Sequence, residues 1–137
     1  MIDVVLDTNV LISALLSPNG TPARILRMII SRQIRICIDS RILLEYENVL
    51  LREKFPFEPL DVSLLLKRIL QIANVIVPKP IESSLPHEHD KKLYEVAKST
   101  GAYLITGNLK HFPKEPTIVS PADFLGGVTS AFQLFQG

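Results

Sequence analysis

Short β-branched runs alternate with helix-like segments along this chain, and that alternation limits its fold more than any other feature. The runs that predict strands are residues 2–6, 34–38, 75–77, 103–106 and, more weakly, 117–119. Amphipathic segments near 9–17, 21–32, 40–54, 62–73 and 91–99 predict helices between them. Strands separated by such helices pair in parallel. The sequence therefore predicts an α/β fold with a parallel sheet of four or five strands and helices on both faces.

The chain's size and composition fit a single domain covering residues 1–137, because 47% of the residues are hydrophobic. Fifteen basic and 14 acidic residues give a net charge of +1, so any basic surface must be local. Cys37 is the one cysteine, which excludes an internal disulfide and favours a reducing, cytoplasmic setting. We expect neither a secretion signal nor a membrane-spanning segment.

Asp7 stands between two apolar runs, residues 4–6 and 10–12, directly after the first predicted strand. Parallel sheets carry their sites beyond the carboxyl ends of the strands, so Asp7 is a candidate site residue. An Asp here is also often a helix N-cap, although Thr8 and Asn9 could fill that role instead. An ionised carboxylate at the end of a buried strand needs a partner. Both interpretations stay open on the sequence alone.

Asp90 is a second candidate, and we predict it to be the first residue of its helix. It could be a simple cap that the helix dipole stabilises. It also lies three residues before Leu93 and seven before Ala97, on the apolar stripe of the helix. That phase predicts a side chain that points towards the body of the protein.

The helix predicted to be capped by Ser40 contains three further acids, Glu45, Glu47 and Glu53. Its apolar arc is broad, and a helical wheel slightly favours Glu47 over Glu45 as the inward-facing acid. A solvated acidic face is the simpler interpretation for any one of them.

The fourth strand ends in Thr106-Gly107-Asn108, which is typical of a tight turn but also offers a hydroxyl and an amide oxygen to a cation or phosphate. His87 and His89 could join Asp90 in a metal cluster, although loop histidines are more often exposed. Cys37 fits a small buried hydrophobe.

Taken together, four segments resemble the PIN-domain nucleases, in particular the VapC-like toxins of toxin–antitoxin pairs. The first is Asp7-Thr8-Asn9-Val10-Leu11 after an apolar strand. The second is residues 45–50 followed by 52–55, the third runs from His89-Asp90-Lys91-Lys92 to Ala97, and the fourth is residues 104–108. Their order and spacing agree with the family pattern over nearly the whole chain.

This resemblance implies a Rossmann-like α/β/α sandwich with strand order 3-2-1-4-5. It implies that Asp7, Glu45 and Asp90 form an acidic cluster that binds Mg²⁺ or Mn²⁺, with Glu45 rather than Glu47 as the second ligand. Thr106 and Asn108 would orient water or the ligands. The implied activity is metal-dependent endoribonuclease action on RNA, by a homodimeric toxin that a cognate antitoxin masks.

The physical chemistry of the cluster agrees with this implication. Two carboxylates about 4 Å apart repel by roughly 4 kcal/mol at an effective dielectric constant near 20, so they favour a bound cation. Oxygen ligands suit Mg²⁺ or Mn²⁺ rather than zinc. Many family members have Asp where this chain has Asn108, whose amide oxygen brings no charge.

Two alternatives follow from these residues. One is a catalytically weak or inactive PIN fold that binds RNA or protein, which Asn108 favours. The other is a phosphatase of the haloacid-dehalogenase type with Asp7 as nucleophile, which Asn9 disfavours because those enzymes usually carry a second Asp there. Two basic regions could contact RNA phosphates or could be solvated charge: Arg24, Arg27, Arg32 and Arg35 in one, Lys91, Lys92, Lys110 and Lys114 in the other.

Overall fold

A five-stranded parallel sheet forms the centre of the protein, in the order β3-β2-β1-β4-β5. The computed structural model describes residues 1–81, 85 and 87–129, without the side chains of residues 88, 89 and 129. The strands are β1 (Asp3–Leu6), β2 (Arg35–Ile38), β3 (Asn74–Val75), β4 (Tyr103–Ile105) and β5 (Ile118–Val119). The predicted parallel sheet and strand order 3-2-1-4-5 are confirmed, and all five predicted strands are present.

Helices connect these strands in the predicted alternation. They are α1 (Thr8–Leu16), α2 (Thr21–Ile30), α3 (Ser40–Leu50), α4 (Pro59–Ile72), α5 (Glu88–Thr100) and the short α6 (Pro121–Asp123). A 3₁₀ turn, Leu109–His111, follows β4, and a π-helical segment, Phe124–Thr129, follows α6. The result is the predicted three-layer α/β/α sandwich.

Local sequence explains several helix ends. Pro59 begins α4 three residues before the predicted start, because a proline without an N–H fits the first turn. Gly101 ends α5 in the left-handed conformation, with φ of 73°, which glycine adopts at little cost. Asp39, rather than the predicted Ser40, is the N-cap of α3, and its carboxylate accepts the Ile42 N–H at 2.9 Å.

The core lies between the sheet and its helices. Val4, Val5 and Leu6 of the central strand β1 are completely buried, as expected for a strand covered on both faces. Helix α5 packs against β1, β2 and β4, and α3 packs against α1, α4 and α5. The elements that carry the predicted acids Glu45 and Asp90, α3 and α5, are therefore in contact with each other and with the elements on either side of Asp7. Among the described residues, no helix is both long enough and apolar enough to cross a bilayer.

Candidate active site

The register of the two central strands places Asp7 beside Thr106. Leu6, the last residue of β1, pairs with Ile105, the last residue of β4. The Asp7 N–H continues the ladder by donating to the Ile105 carbonyl at 3.0 Å. Both polar residues therefore leave the carboxyl edge of the sheet side by side, which is where sites of parallel sheets lie.

Asp7 occupies the N-cap position of α1 but does not act as a side-chain cap. Its carboxylate is 2% exposed, and Oδ2 accepts a hydrogen bond from the buried Thr106 hydroxyl at 2.8 Å. The same hydroxyl accepts the Asn108 N–H at 2.9 Å, so its single proton is directed at Asp7. The cap interpretation of Asp7 is therefore wrong for its side chain, which a residue 99 positions away in the chain holds instead.

Glu45 reaches the same region from α3. Its Oε2 accepts a hydrogen bond from the Thr8 hydroxyl, and its Oε1 lies 2.8 Å from the Lys92 ammonium. Glu47 is exposed, so the helical-wheel preference for Glu47 is wrong. The wheel could not decide because α3 is contacted by three other helices, α1, α4 and α5, which widens its buried face.

The buried phenol of Tyr46 lies close enough to Asp7 and Glu45 for both negative charges to affect its pKa. Burial raises the pKa of Tyr46 well above its usual value, and the negative charges of Asp7 and Glu45 raise it further. Tyr46 therefore remains protonated and donates to the Leu6 carbonyl, one residue before Asp7. This bond fixes α3 to the end of β1.

Asp90 is the third residue of α5, not the first as predicted, and its N–H donates to the His87 carbonyl at 3.1 Å. Its side chain is buried, as the phase with Leu93 and Ala97 predicted. Oδ2 of Asp90 lies 3.3 Å from Nδ1 of His111, a residue of the 3₁₀ turn after β4. The backbone carbonyl of Asn108 accepts the His111 N–H at 2.9 Å and so positions this turn.

The donor set fits a hard divalent ion by chemistry, since Asp7, Glu45 and Asp90 offer only carboxylate oxygens. Their mutual positions fit less well. Among the side chains that the structure describes, which exclude those of residues 88 and 89, no three from His, Cys, Asp or Glu lie close enough to hold one ion together. Glu45 is instead held by Thr8 and Lys92, so a shared ion would need Glu45 to turn away from the ammonium.

Thr8, Lys92 and His111 are the site contacts that the sequence analysis missed. The sequence placed Lys92 in a basic region, yet its side chain is 14% exposed and pairs with an acid 47 positions earlier. For Thr8 it indicated a possible helix cap and no contact with Glu45. Each of these contacts joins two elements distant in sequence, so no local pattern indicated them.

The remaining residues that the sequence suggested for a site or a basic surface include Cys37, His87, His89 and Arg35. Cys37 is buried, as predicted. His87 is exposed, with its ring centroid 4.6 Å from that of His111, while the side chain of His89 lies outside the described residues. Arg35 begins β2 at the opposite edge of the sheet, where it forms an ion pair with Asp3.

Comparison with known proteins agrees with this architecture. A family model described as PIN domain matches residues 3–110. An uncharacterized protein of Methanocaldococcus jannaschii, MJ1680, is 34% identical over 110 residues, which cover 78% of this chain and 71% of the relative.

Two solved structures share the fold at low sequence identity. The crystal structure of VapBC2 from Rickettsia felis, bound to a DNA fragment from their promoter, has a TM-score of 0.58 at 17% identity and covers 87% of this chain and 97% of that one. The crystal structure of PAE2754 from Pyrobaculum aerophilum has a TM-score of 0.57 at 17% identity, over 94% and 90% of the two chains. The family model, the sequence relative and the strand order agree, and this chain belongs to the PIN domain family.

Proposed function

We propose that this protein is a metal-dependent endoribonuclease that hydrolyses RNA phosphodiester bonds, with Asp7, Glu45 and Asp90 as the ligands of Mg²⁺ or Mn²⁺. PIN domains are generally nucleases. The observation that carries the proposal is the buried Asp7 carboxylate, which is not used as a helix cap and which Thr106 holds at the carboxyl edge of the sheet. Glu45 and Asp90 support it, because α3 and α5 contact each other and the elements around Asp7.

A bound Mg²⁺ or Mn²⁺ would supply an activated water and stabilise charge on the scissile phosphate. The chain itself would supply orientation. Thr106 fixes Asp7, and the Asn108 N–H fixes Thr106, so one ligand is rigid before any ion arrives. Asn108 contributes through its backbone in this arrangement, and we propose that its amide side chain orients water.

The second basic region supports RNA binding near this edge. Lys110 and Lys114 are exposed in the segment that follows Asn108, and they line a cavity of about 700 Å³ together with Leu109 and Phe112. Exposed ammonium groups of this kind contact phosphates without reading the sequence.

We also propose a biological role as the toxin of a toxin–antitoxin pair, acting in the cytoplasm as a homodimer whose cognate antitoxin masks the site. The fold likeness to the VapBC2 structure supports this role. The first test is copurification: coexpression with the protein encoded next to it should give a stable complex without RNA cleavage.

The test of the proposed activity is cleavage of a mixed pool of structured and single-stranded RNA in the presence of Mn²⁺. Wild-type protein should cleave, and both EDTA and the Asp7→Asn substitution should remove the activity. Asp39→Asn is the matched control, because Asp39 is also a buried acid at the end of a neighbouring strand. Equal cleavage by wild-type protein and Asp7→Asn would refute the assignment of the site.

A second candidate is a PIN fold that binds RNA or protein without cleaving. Two observations favour it: Asn108 carries no charge, and the Lys92 ammonium neutralises Glu45. RNA binding that is retained without Mn²⁺ uptake and without cleavage would establish this alternative.

A further inference from the structure

The Lys92 ammonium is largely buried against Glu45 rather than exposed at the surface. Its Nζ is 2.8 Å from Oε1 of Glu45, and the two side chains are only 14% and 18% exposed. At such low exposure water screens the pair weakly, so its electrostatic attraction exceeds that of an exposed pair. Glu45 also accepts the Thr8 hydroxyl on its other oxygen, which fixes the carboxylate for the ammonium.

Helix α5 carries both Lys92 and Asp90, two residues apart. The same helix therefore carries one of the three candidate acids, Asp90, and a cation, Lys92, which binds Glu45 of α3. A divalent ion that used Glu45 would have to displace this ammonium, because both need the same carboxylate and repel each other.

We propose that Lys92 is an internal counter-ion that competes with the divalent cation for Glu45 and so sets the cation affinity of the site. The inference rests on the proposed function in one respect only, the use of Glu45 as a metal ligand. It assigns Lys92 a role in tuning the site, distinct from the phosphate contacts of exposed lysines.

The test is the affinity for Mn²⁺ alone, measured by isothermal titration calorimetry on the full chain at low ionic strength and without RNA. Lys92→Gln should bind Mn²⁺ about tenfold more tightly than wild type, since it removes the competing charge. Lys92→Arg, which keeps the charge, should stay close to wild type.

Lys91→Gln is the matched control. It lies on the same helix and makes the same change in net charge, but Lys91 lines a different cavity with Asp39, Arg41 and Glu95. Its Mn²⁺ affinity should change less than twofold. Equal tightening in Lys91→Gln and Lys92→Gln would overturn the proposal in favour of a general charge effect.

A double substitution tests whether Lys92 acts through Glu45. In a Glu45→Gln background, the gain in Mn²⁺ affinity from Lys92→Gln should fall well below tenfold, because the competition for Glu45 is gone, and a persistent tenfold gain would overturn the proposal. Weaker Mn²⁺ binding by Lys92→Gln, or no binding by any variant, would overturn it too. Lys92→Met, which keeps the apolar stem, replaces Lys92→Gln if circular dichroism shows that the latter is unfolded.

This experiment separates the inference from the proposed function. Tighter Mn²⁺ binding in Lys92→Gln without RNA cleavage by wild type would refute the nuclease and leave the counter-ion. Cleavage that depends on Asp7 and Mn²⁺, with unchanged Mn²⁺ affinity in Lys92→Gln, would refute only the counter-ion.

Discussion

Two neighbouring strands end in an aliphatic residue that is followed by Asp and a hydroxyl residue. The sequence is Leu6-Asp7-Thr8 at the end of β1 and Ile38-Asp39-Ser40 at the end of β2. Each Asp stands at the N-cap position of the following helix, and the two are only 2% and 3% exposed. The register of β1 on β2 places both at the same edge of the sheet. By local sequence and burial they are almost equivalent.

Their partners differ completely. Asp39 caps α3 through the Ile42 N–H and pairs with Arg41, whose guanidinium also binds Glu95 at 2.9 Å. Glu95 in turn accepts the Ile81 N–H at 2.9 Å. This Asp39 network of capping and ion-pair contacts joins α3, α5 and the segment after β3, and its two carboxylates share one guanidinium.

The Asp7 carboxylate makes no side-chain capping bond. It is oriented by a hydroxyl, and its acidic neighbour Glu45 pairs with the Lys92 ammonium. The comparison teaches that two strand-end Asp residues in the same local position can serve different contacts. Asp39 holds its own helix and an ion-pair network, whereas the Asp7 carboxylate is directed at Thr106 at the carboxyl edge of the sheet, where sites of parallel sheets lie.

The largest expected effect is a difference between the Asp90→Asn and Asp39→Asn variants in RNA cleavage. We expect Asp90→Asn to reduce RNA cleavage by about a thousandfold, because metal stabilisation of the transition state is worth several kcal/mol. Its free energy of unfolding should change less than that of Asp39→Asn, which alters a carboxylate that caps α3 and pairs with Arg41. Asp39→Asn should do the reverse: it lowers the free energy of unfolding and retains cleavage. Urea denaturation and single-turnover cleavage measure both.

Thr106→Val should have the next largest effect. It removes the hydroxyl that orients Asp7 while keeping the side-chain volume, and loss of such an orienting bond costs about 10- to 100-fold in activity or metal affinity. Thr100→Val is the control, because the Thr100 hydroxyl binds the Val96 carbonyl within α5. Unchanged cleavage and Mn²⁺ affinity in Thr106→Val would show that Asp7 needs no such support.

Arg41→Ala should destabilise the Asp39 network by about 1–2 kcal/mol in urea denaturation. The substitution leaves two buried carboxylates without their guanidinium, although the cost is moderated because the Arg41 side chain is 47% exposed. Arg52→Ala, an exposed position, should have no measurable effect. A stability of Arg41→Ala equal to that of wild type would mean that solvent compensates Asp39 and Glu95.

The smallest effect concerns pH. Burial tends to raise the pKa of Glu95, but the Arg41 and Ile81 hydrogen bonds and the charges of Arg41 and Lys91 together lower it below its usual value of 4.5. A lowered folded-state pKa means that the unfolded chain binds more protons near this pH. The stability that Glu95 contributes is therefore present above pH 4.5 and is lost as the pH falls through the lower folded-state pKa.

The free energy of unfolding, measured from pH 6 to pH 3, checks this expectation. The acid-induced loss should be shallower in Arg41→Ala than in wild type, because the substitution removes much of what lowers the pKa of Glu95. Identical slopes would show that Arg41 does not control this titration.

The sequence alone determined the architecture. Alternating short strands and amphipathic helices predict a parallel sheet. Such a sheet is covered on both faces, which explains why Val4, Val5 and Leu6 form an uninterrupted apolar run. The sequence also placed Asp7 and Thr106 at strand ends, because each predicted strand ends where its apolar run ends. The resemblance to PIN-domain nucleases selected Glu45, which helical periodicity had ranked below Glu47.

Only the tertiary structure decided which side chains each acid contacts. Asp7 and Asp39 share a local position, but their contacts differ: the Asp7 carboxylate binds the Thr106 hydroxyl beyond β4, whereas Asp39 pairs with Arg41 of its own helix, which also binds Glu95 of α5. The pairing of Lys92 with Glu45 was likewise invisible, since it joins two helices 47 positions apart in sequence. The charge balance of a buried carboxylate is set by groups within a few ångströms in space, and their distance along the chain does not reveal them.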